Sequence, residues 1–387
     1  MLVSKEQLIK KVQSRFNKQF EIEPKLLTLT PGRVNIIGEH TDYNEGLAIP
    51  VAIDRWICTA VCKSPDNSST IYSLNYNKNL KINQKRVIKN DTIWKQLAQV
   101  TMHQINIKFD IDVGVNLVVG GNIPIGCGLS SSTAFVISLV YSICQLFSID
   151  IKAHELVIFC HKLENLALGN AGGQLDQCGI ILSKKDQFLF IDFQDGSIEY
   201  IPAVLNDCSW IVINSQIRRE LSESAYLNRV KECQQGLNLL KEKYKISSLR
   251  DTDRFSLEIL RNKYDVLYNR LCHVINENQR VLRMKKQLIL GNAKLAGEIL
   301  SESHESLKSL YEVSCNEIDY IIETSKLIEG WYGGRIIGGG FGGCSIHLVE
   351  NKMEEKFIDY ISNNYSRKFN IIPQIMKVAF PGGLQLL

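Results

Sequence analysis

The sequence predicts a two-domain protein of the α+β class. Its 387 residues are more than one compact core usually holds, so two domains are expected. Apolar residues make up 45% of the chain, which is typical of a folded globule. Both strands and helices are predicted up to Asn214, whereas Val230 to Ile328 is mostly helical. We expect an N-terminal domain over residues 1–200 and a C-terminal domain over residues 201–387.

Charge and cysteine content narrow the function classes. The formal net charge of +4 is small for this length and no basic run carries interleaved aromatics, so a nucleic-acid partner is not expected. The 11 cysteines are irregularly spaced without a C-x-x-C pair, which indicates reduced thiols and a cytoplasmic location. Val113 to Ile149 is uncharged, but Pro124 and several glycines interrupt it, so no membrane span is expected.

A polar loop between strands is the first candidate binding element. Pro31 to Arg33 predicts a turn before a short strand, Val34 to Ile37, and two further strands are predicted at Leu47 to Ile53 and Trp56 to Cys62. Between them, hydrogen-bonding side chains follow one another from Glu39 to Asn44, which suits a polyol ligand. A solvated hairpin loop is the alternative, because most polar loops are solvated.

A second candidate binding loop lies in the middle of the N-terminal half. Lys63 to Asn90 is polar and is predicted to be irregular and exposed, and Trp94 to Gln104 predicts a helix. A buried strand, Val115 to Val119, then leads into a glycine- and serine-rich stretch. That stretch consists of Gly126, Cys127, Gly128, Leu129, Ser130, Ser131 and Ser132.

This stretch has the features of a phosphate-binding loop. Its two glycines permit a tight turn against a ligand, and its serines are expected to cap the following helix, whose free N–H groups favour an anion. An ordinary helix cap is an equal alternative at this point. Walker and protein-kinase signatures are absent and the loop has no lysine, so phosphate charge must be met by backbone dipoles and a metal ion. A carboxylate elsewhere should therefore hold magnesium.

Glu164 is the candidate for that carboxylate. It lies near the end of a predicted helix, Ala153 to Leu168, which Gly169 terminates. Magnesium takes one or two protein oxygens and fills its other positions with water and phosphate, and Ser132 would supply a second oxygen. His161 shares a helical face with Glu164 and is predicted to be a surface residue.

A carboxylate after a second glycine-rich loop is the candidate general base. Gly169 to Gly173 leads to Asp176, and such a loop lets a carboxylate approach a substrate hydroxyl closely. An Asx turn or helix cap is an equal alternative. Near the C-terminus, Gly338 to Gly343 formally matches G-x-G-x-x-G, but the following Ser345 to Val349 predicts a strand and not a helix. We therefore expect a glycine hairpin beside the active site.

Four blocks of the sequence together resemble the galactokinase branch of the GHMP small-molecule kinases. They are Gly32 to Gly46, Pro124 to Ala134, Gly169 to Gln177 and Gly338 to Cys344. The resemblance implies an N-terminal domain like ribosomal protein S5, a C-terminal ferredoxin-like domain and an active site between them. It also implies transfer of the γ-phosphoryl group of ATP to the C1 hydroxyl of galactose, with magnesium. We expect the protein to be a monomer.

The resemblance also implies a role for each matching residue. Asp176 matches the base, and Arg33 matches its cationic neighbour. Glu164 and Ser132 match the magnesium ligands. Trp94 lies at a position beside the adenine of ATP. Residues 126 and 128–132 match the ATP loop, and Arg218 matches a further arginine near the site. The positions that match sugar contacts are Glu39, His40, Asp42, Gly173 and Tyr226.

The chain departs from the family pattern at several positions. Cys127 replaces a smaller residue, Gly172 replaces a cysteine, and Leu97 stands where a tyrosine often flanks the adenine. Pro381-Gly382-Gly383 lacks the usual Asp-Gly and is more similar to N-acetylgalactosamine kinases. The alternatives are a kinase for another sugar, such as N-acetylgalactosamine or galacturonate, and a non-catalytic regulator that binds galactose and ATP.

Overall fold

The computed structural model describes residues 3–65, 68–82, 87, 89, 92–111, 113–169, 172–203, 205–217 and 222–387. The strands are β1 Leu26–Asn35, β2 Leu47–Ala48, β3 Pro50–Lys63, β4 Ser69–Ser73, β5 Lys78–Ile82, β6 Val115–Gly121, β7 Gln187–Asp192, β8 Ile198–Pro202, β9 Cys208–Asn214, β10 Trp331–Ile336, β11 Cys344–Glu350, β12 Gln374–Val378 and β13 Gln385–Leu386. The helices are α1 Lys5–Phe20, α2 Ile93–Phe109, α3 Ser131–Leu146, α4 Ala153–Leu168, α5 Leu175–Ile181, α6 Ser222–Lys241, α7 Arg254–Leu257, α8 Asp265–Ile289, α9 Ala293–Ser309, α10 Asn316–Ser325 and α11 Glu354–Phe369.

A six-stranded sheet forms the base of the N-terminal half, in the order β13-β1-β3-β6-β4-β5. Its longest strand pair is the antiparallel pair β1 and β3. The predicted turn at Pro31 to Arg33 was wrong. These residues lie inside β1, where the register with β3 shifts between Pro31 and Gly32. A β-bulge accommodates the extra residue without ending the strand. The two strands predicted around Asp54 are likewise one continuous strand from Pro50.

The expectation of irregular structure from Lys63 to Asn90 was also wrong for its described part. The strands β4 and β5 form a hairpin there, and β4 pairs in parallel with β6. β5 is the edge strand, and most of its side chains are exposed or half-buried. Polar side chains are usual on an edge strand because they discourage pairing with another chain. This hairpin brings the segment after β4 close to α2.

The first helices begin and end as their local sequences require. α1 has a capping box, in which Ser4 and Gln7 each bond the other's backbone N–H. The helix α4 has the predicted bounds and ends at Gly169, whose φ of 71° is left-handed. α3 is buried along most of its length and packs on β1 and β3. Its N-terminus therefore has a fixed position above the central strands.

A four-stranded antiparallel sheet organises the C-terminal half, in the order β10-β11-β9-β12. The strand predicted at Ser345 to Val349 is confirmed as β11, and it pairs with β10 across the glycine cluster. The helices α8 and α9 pack together, and α9 packs on β10. This mixture of helices with largely antiparallel sheets confirms the α+β class.

The two halves share one continuous core. Its buried side chains include Val34 and Ile49 from the first half and Ile346 and Met376 from the second. The last strand, β13, returns to pair with β1. A small sheet of β2, β7 and β8 lies beside α8. Over the described residues, no helix combines the length and apolar character that a membrane crossing requires.

Candidate functional site

The glycine hairpin and the phosphate loop are in backbone contact. A Cβ atom added to Gly338 would lie 2.9 Å from the Cα of Gly128, and one added to Gly343 would lie 2.8 Å from the Cys127 carbonyl oxygen. Both glycines also have left-handed φ angles, 77° and 76°. Only glycine combines this conformation with so close an approach. The hairpin therefore holds the phosphate loop from the side of the second half.

The phosphate loop turns through three left-handed residues, Gly126, Gly128 and Ser130, before α3 begins. Ser130 does not cap the helix as expected, because its φ of 58° turns its side chain away from the helix N–H groups. The Ser130 hydroxyl instead donates to Oδ2 of Asp176. The first N–H groups of a helix have no partner within the helix, so this N-terminus is suited to an anion.

An apolar cavity of about 260 Å³ opens beside the start of α3. Trp94 forms one wall, and the ring of Tyr76 stacks on it with centroids 5.5 Å apart and an interplanar angle of 10°. Trp94 is buried, whereas Tyr76 is 43% exposed. Gly126, Ser131 and Ser132 also line this cavity, whereas the described Gly128, Leu129 and Ser130 are not among its lining residues. The cavity has the flat apolar walls that a planar base needs.

A polar cavity of about 270 Å³ adjoins the apolar one. Ser132 and Leu168 line both cavities, so a ligand in one can reach a ligand in the other at the N-terminus of α3. Every residue predicted to contact sugar lines the polar cavity, together with both proposed catalytic residues. These seven residues are Arg33, Glu39, His40, Asp42, Gly173, Asp176 and Tyr226.

Asp176 lines the polar cavity and is held there by two neighbours. It lies in the first turn of α5, directly after the glycine-rich loop. Arg33 Nε donates to Asp176 Oδ1 at 2.8 Å and Nη2 donates to the same oxygen, while Nη1 donates to the Gly128 carbonyl at 2.6 Å. Ser130 binds the other carboxylate oxygen. The arginine thus links the carboxylate to the phosphate loop.

Asp42 and Gly173 form a close backbone-to-carboxylate contact. A Cβ atom added to Gly173 would lie 2.1 Å from Asp42 Oδ2, so position 173 has no room for a side chain. Oδ2 also accepts the Leu175 N–H at 3.4 Å. Burial and the negative charge of Asp176 raise the pKa of Asp42 to about 7. Asp42 is therefore partly protonated at neutral pH and can donate or accept a hydrogen bond.

Glu39 and His40 form the inner wall. Glu39 is buried, and its Oε1 accepts from Arg335 Nη2 at 3.2 Å and from the Gly338 N–H at 2.8 Å. His40 Nδ1 bonds the Tyr43 hydroxyl at 2.8 Å, while its buried Nε2 has no partner within the described structure. Burial lowers the pKa of His40 well below its usual value, so the ring is neutral. An orphaned buried nitrogen in the wall of a polar cavity is available to bind a hydroxyl of a ligand or a water molecule.

Glu164 and Ser132 lie together as predicted for a magnesium site. Ser132 Oγ donates to Glu164 Oε1 at 3.0 Å, and Thr133 and Gln177 contact the same carboxylate. Burial and the charge of Asp176 raise the pKa of Glu164 to about 7, which indicates a carboxylate short of a cation. Hard oxygen donors and a shortage of positive charge fit magnesium. Over the described residues no cluster of three or more His, Cys, Asp or Glu suits a metal, so phosphate and water would supply most ligands.

Comparison with known proteins identifies the family. The chain is 34% identical to a galactokinase from Clostridium perfringens over 360 residues, which is 92% of this chain and 93% of that protein. A galactokinase from Staphylococcus carnosus is 32% identical over 98% of this chain and all of its own length. This chain belongs to the galactokinase family. As a member of this family it is a kinase with ATP as its co-substrate.

Domain models and solved structures agree with the galactokinase assignment. Residues 14–63 match the galactokinase galactose-binding signature, residues 91–184 the N-terminal domain of GHMP kinases and residues 284–367 their C-terminal domain. The structure of Lactococcus lactis galactokinase complexed with galactose superposes with a TM-score of 0.91 at 29% identity, covering 97% of this chain and 98% of that one. A mevalonate kinase from Methanococcus jannaschii, at 20% identity and TM-score 0.67, shares the fold.

His161 lies in the site, whereas Cys127 and Pro381-Gly382-Gly383 line neither cavity. His161 was predicted to be a surface residue, but it is half-buried, lines the polar cavity and bonds the Gly172 carbonyl through Nε2 at 2.8 Å. Its spacing placed it on the helical face of Glu164, but a single imidazole on a helix did not distinguish a site residue from a surface residue. Cys127 is buried and its thiol donates to the Pro124 carbonyl, and Pro381-Gly382-Gly383 lines neither cavity. Arg218 lies outside the described residues.

Tyr76 and Gln177 were missed because their partners are distant in the sequence. Tyr76 follows β4, in the segment for which no regular structure was expected, and stacks on Trp94 of α2. Leu97, where an aromatic residue was noted as usual, lines the same cavity. Gln177 donates to Glu164 Oε2 at 2.9 Å from the turn that carries Asp176. An amide of this kind has no distinguishing pattern in one sequence.

Proposed function

We propose that this enzyme transfers the γ-phosphoryl group of ATP to the C1 hydroxyl of D-galactose, giving galactose 1-phosphate and ADP. The observation that carries the proposal is the junction of the two cavities. An apolar cavity for a base and a polar cavity for a polyol meet at Ser132, and the polar cavity contains Asp176, which Arg33 and Ser130 hold through hydrogen bonds. The geometry suits a reaction that depends mainly on positioning and on stabilisation of charge.

Asp176 is the proton acceptor in this proposal. The C1 hydroxyl of the sugar lies against the carboxylate, and its oxygen forms a bond to the γ-phosphorus as the bond from that phosphorus to the β-phosphate oxygen breaks. The hydroxyl proton passes to Asp176, and ADP leaves with the electron pair of the broken bond. Arg33 fixes the position of the carboxylate through its hydrogen bonds. The first N–H groups of α3 stabilise charge on the transferring group.

Glu164 and Ser132 are the residues that would hold magnesium. Bound there, magnesium would neutralise charge on the phosphate oxygens. Thr133 and Gln177 orient the Glu164 carboxylate through hydrogen bonds. The elevated pKa of Glu164 means that magnesium nucleotide must displace a proton at neutral pH. Binding of the nucleotide with magnesium should therefore tighten as the pH rises through 7.

Galactose recognition is assigned to the inner wall of the polar cavity. Glu39 and Asp42 present carboxylates, His40 Nε2 lacks a partner, and Gly173 and Tyr226 close the side. Such alternation of donors and acceptors suits adjacent ring hydroxyls. The C-terminal Pro381-Gly382-Gly383, which is similar to N-acetylgalactosamine kinases, is absent from the lining of this cavity. Galactose is therefore preferred over its 2-acetamido analogue in the proposal.

An ADP-release assay over a sugar panel tests the proposal. The panel contains galactose, N-acetylgalactosamine, galacturonate and glucose, each at saturating magnesium ATP. Galactose should give the highest kcat/KM, and phosphorus NMR should place the phosphate on C1. Turnover on another sugar without turnover on galactose would overturn the assignment of the substrate. Calorimetric binding of galactose and nucleotide without any product would favour a regulator.

We also propose that the enzyme is a cytoplasmic monomer and that the boundary between its two domains lies near residue 200. Its cysteines are free thiols, as is usual in a reducing compartment. The strand β13 is the exception to that boundary, since it belongs to the first sheet. Light scattering coupled to size exclusion should give one chain per particle.

A further inference from the structure

A buried carboxylate from α8 lies directly behind the sugar loop. Glu277 is fully buried, and its Oε1 accepts the backbone N–H groups of Gly38 at 3.1 Å and Glu39 at 3.4 Å. The hydroxyl of Ser303, from α9, donates to the same oxygen at 2.8 Å. Two successive N–H groups aimed at one oxygen form a small anion-binding nest. Gly38 and Glu277 are 239 residues apart, so this contact joins the two halves of the chain.

The turn that Glu277 holds has an unusual backbone. Gly38 has a φ of 95° and His40 a φ of 63°, so left-handed residues flank Glu39 on both sides. A side chain at position 38 would lie 2.4 Å from the Leu47 carbonyl oxygen. A left-handed histidine is strained, and such a conformation persists only where neighbours over-determine it. Glu277 is one of the neighbours that do so.

A second side chain of α8 holds the other side of the same turn. His273 Nε2 contacts the Glu39 carbonyl oxygen at 3.2 Å, and its Nδ1 contacts the Ser306 hydroxyl at 2.8 Å. Burial lowers the pKa of His273 to about 4, so the ring is neutral. A neutral ring donates through one nitrogen and accepts through the other, which fits these two contacts. The peptide groups on both sides of Glu39 are therefore fixed by α8.

The charge of Glu277 is balanced inside the protein. Its Oε2 accepts from Arg280 Nε at 2.6 Å. Burial alone would raise the pKa of Glu277, but the charges of Arg280 and Arg335 and the Ser303 hydrogen bond lower it to about 2. The carboxylate is thus ionised at neutral pH, and it accepts hydrogen bonds from the two loop N–H groups.

We infer that Glu277 is a positioning residue for the sugar: its carboxylate holds the turn at Gly38 and Glu39, and this turn sets the directions of the Glu39 and His40 side chains in the polar cavity. Glu277 does not line the cavity. Its effect therefore reaches the sugar only through the loop. This inference rests on the proposed function in that the polar cavity is taken to bind the sugar.

The test is the substitution Glu277→Gln, measured with both substrates. The amide removes the charge and presents two donors, so it cannot receive Arg280 and the loop N–H groups as the carboxylate does. The KM for the sugar should rise by roughly tenfold or more, because a displacement approaching 1 Å in a positioned group has effects of this order. The KM for ATP should stay near that of the unchanged enzyme. A purely structural defect lowers the active fraction and leaves the sugar KM of the folded enzyme unchanged.

Glu302→Gln is the matched control. Glu302 pairs with Arg283 through two hydrogen bonds, at 2.6 and 2.9 Å, and this pair also joins α9 to α8. The pair is exposed and contacts no part of the sugar loop in the described structure. This variant removes the same charge between the same helices, so both KM values should remain those of the unchanged enzyme. A similar rise of the sugar KM in both variants would overturn the inference.

Ser303→Ala keeps the inference falsifiable where Glu277→Gln does not fold. It removes one donor from Glu277 Oε1 and retains the buried ion pair. A smaller rise of the sugar KM, with the ATP KM unchanged, is expected. An unchanged sugar KM in Ser303→Ala, or in folded Glu277→Gln, would refute the positioning role. The comparison uses whichever sugar the unchanged enzyme phosphorylates, so failure on galactose would overturn the proposed substrate alone.

Discussion

Substitution of Gly173 by alanine should damage sugar turnover selectively. The added Cβ would lie 2.1 Å from Asp42 Oδ2 and 2.4 Å from its Cγ. Non-bonded heavy atoms approach to roughly 3.5 Å, so the carboxylate or the loop must retreat by more than about 1 Å. The backbone at Gly173 is not left-handed, so alanine adds no conformational strain of its own. The whole effect comes from the displaced carboxylate.

The displacement gives the expected magnitude. Misplacing a positioned group by about 1 Å costs on the order of 100-fold in rate. The kcat/KM for galactose should therefore fall about 100-fold, while the KM for ATP stays near its original value because neither residue lines the apolar cavity. Steady-state ADP release with each substrate varied separately measures both quantities.

The neighbouring glycine provides the control. A Cβ atom added to Gly172 would lie 3.3 Å from the Tyr226 hydroxyl oxygen, and that side chain need move only a few tenths of an ångström. Gly172→Ala should therefore retain most of the activity. If both variants lost activity equally, or if Gly173→Ala kept a normal kcat/KM for galactose, the assignment of Asp42 to the sugar would be refuted.

Two further predictions concern the magnesium carboxylate and the base pocket. The folded protein holds the Glu164 proton up to about pH 7, whereas an ordinary glutamate releases it near 4.5, so the free energy of unfolding of ligand-free protein should fall as the pH rises through that window. Glu164→Gln should reduce this change in the free energy of unfolding, measured by urea unfolding at pH 5 and pH 8. It should also abolish magnesium-dependent turnover. The same change of unfolding free energy with pH in both proteins would contradict the raised pKa of Glu164. Tyr76→Ala should raise the KM for ATP without changing the KM for galactose, and Tyr76→Phe should restore it, since the ring stacks on Trp94 in the apolar cavity. Equal KM values for ATP in all three enzymes would refute a role for that ring.

Local patterns predicted the elements whose signals are contained within a few residues. The helix from Ala153 to Leu168 with its terminal Gly169 was correct to the residue, because apolar spacing and a C-terminal glycine both lie in the segment itself. The strand predicted after the glycine cluster distinguished a glycine hairpin from a dinucleotide-binding fingerprint, which is followed by a helix. Both inferences needed only the order of residue types along the chain.

The errors arose where a residue's conformation depends on distant partners. Pro31 and Gly32 signal a turn by type, yet the pairing of β1 with β3 absorbs them as a bulge. Ser130 is a good helix cap by type, but its left-handed backbone directs the hydroxyl to Asp176 instead. The hairpin of β4 and β5 lies at the edge of the sheet, where polar side chains hide the alternation that marks a strand.

The residues of the candidate site likewise divide into reactive residues, which the sequence predicted, and supporting residues, which it did not. The reactive residues come from blocks with distinct composition, and the structure brings Arg33, Glu164 and Asp176 together with the phosphate loop. Their supports do not carry such a signal. Glu277 and Arg335 are single charges in ordinary helical or extended segments, and their importance appears only when the fold buries them behind Glu39.

The central claim is that Asp176 accepts the proton of the sugar hydroxyl, and Asp176→Asn tests it most directly. Single-turnover phosphorylation of galactose should slow by about 100-fold or more, as loss of a general base does. Calorimetry should find magnesium nucleotide and galactose bound nearly as well as before. Asp54→Asn is the control, because Asp54 also pairs with an arginine, Arg55, yet lines neither cavity. A rate for Asp176→Asn within a few-fold of the control would contradict the account.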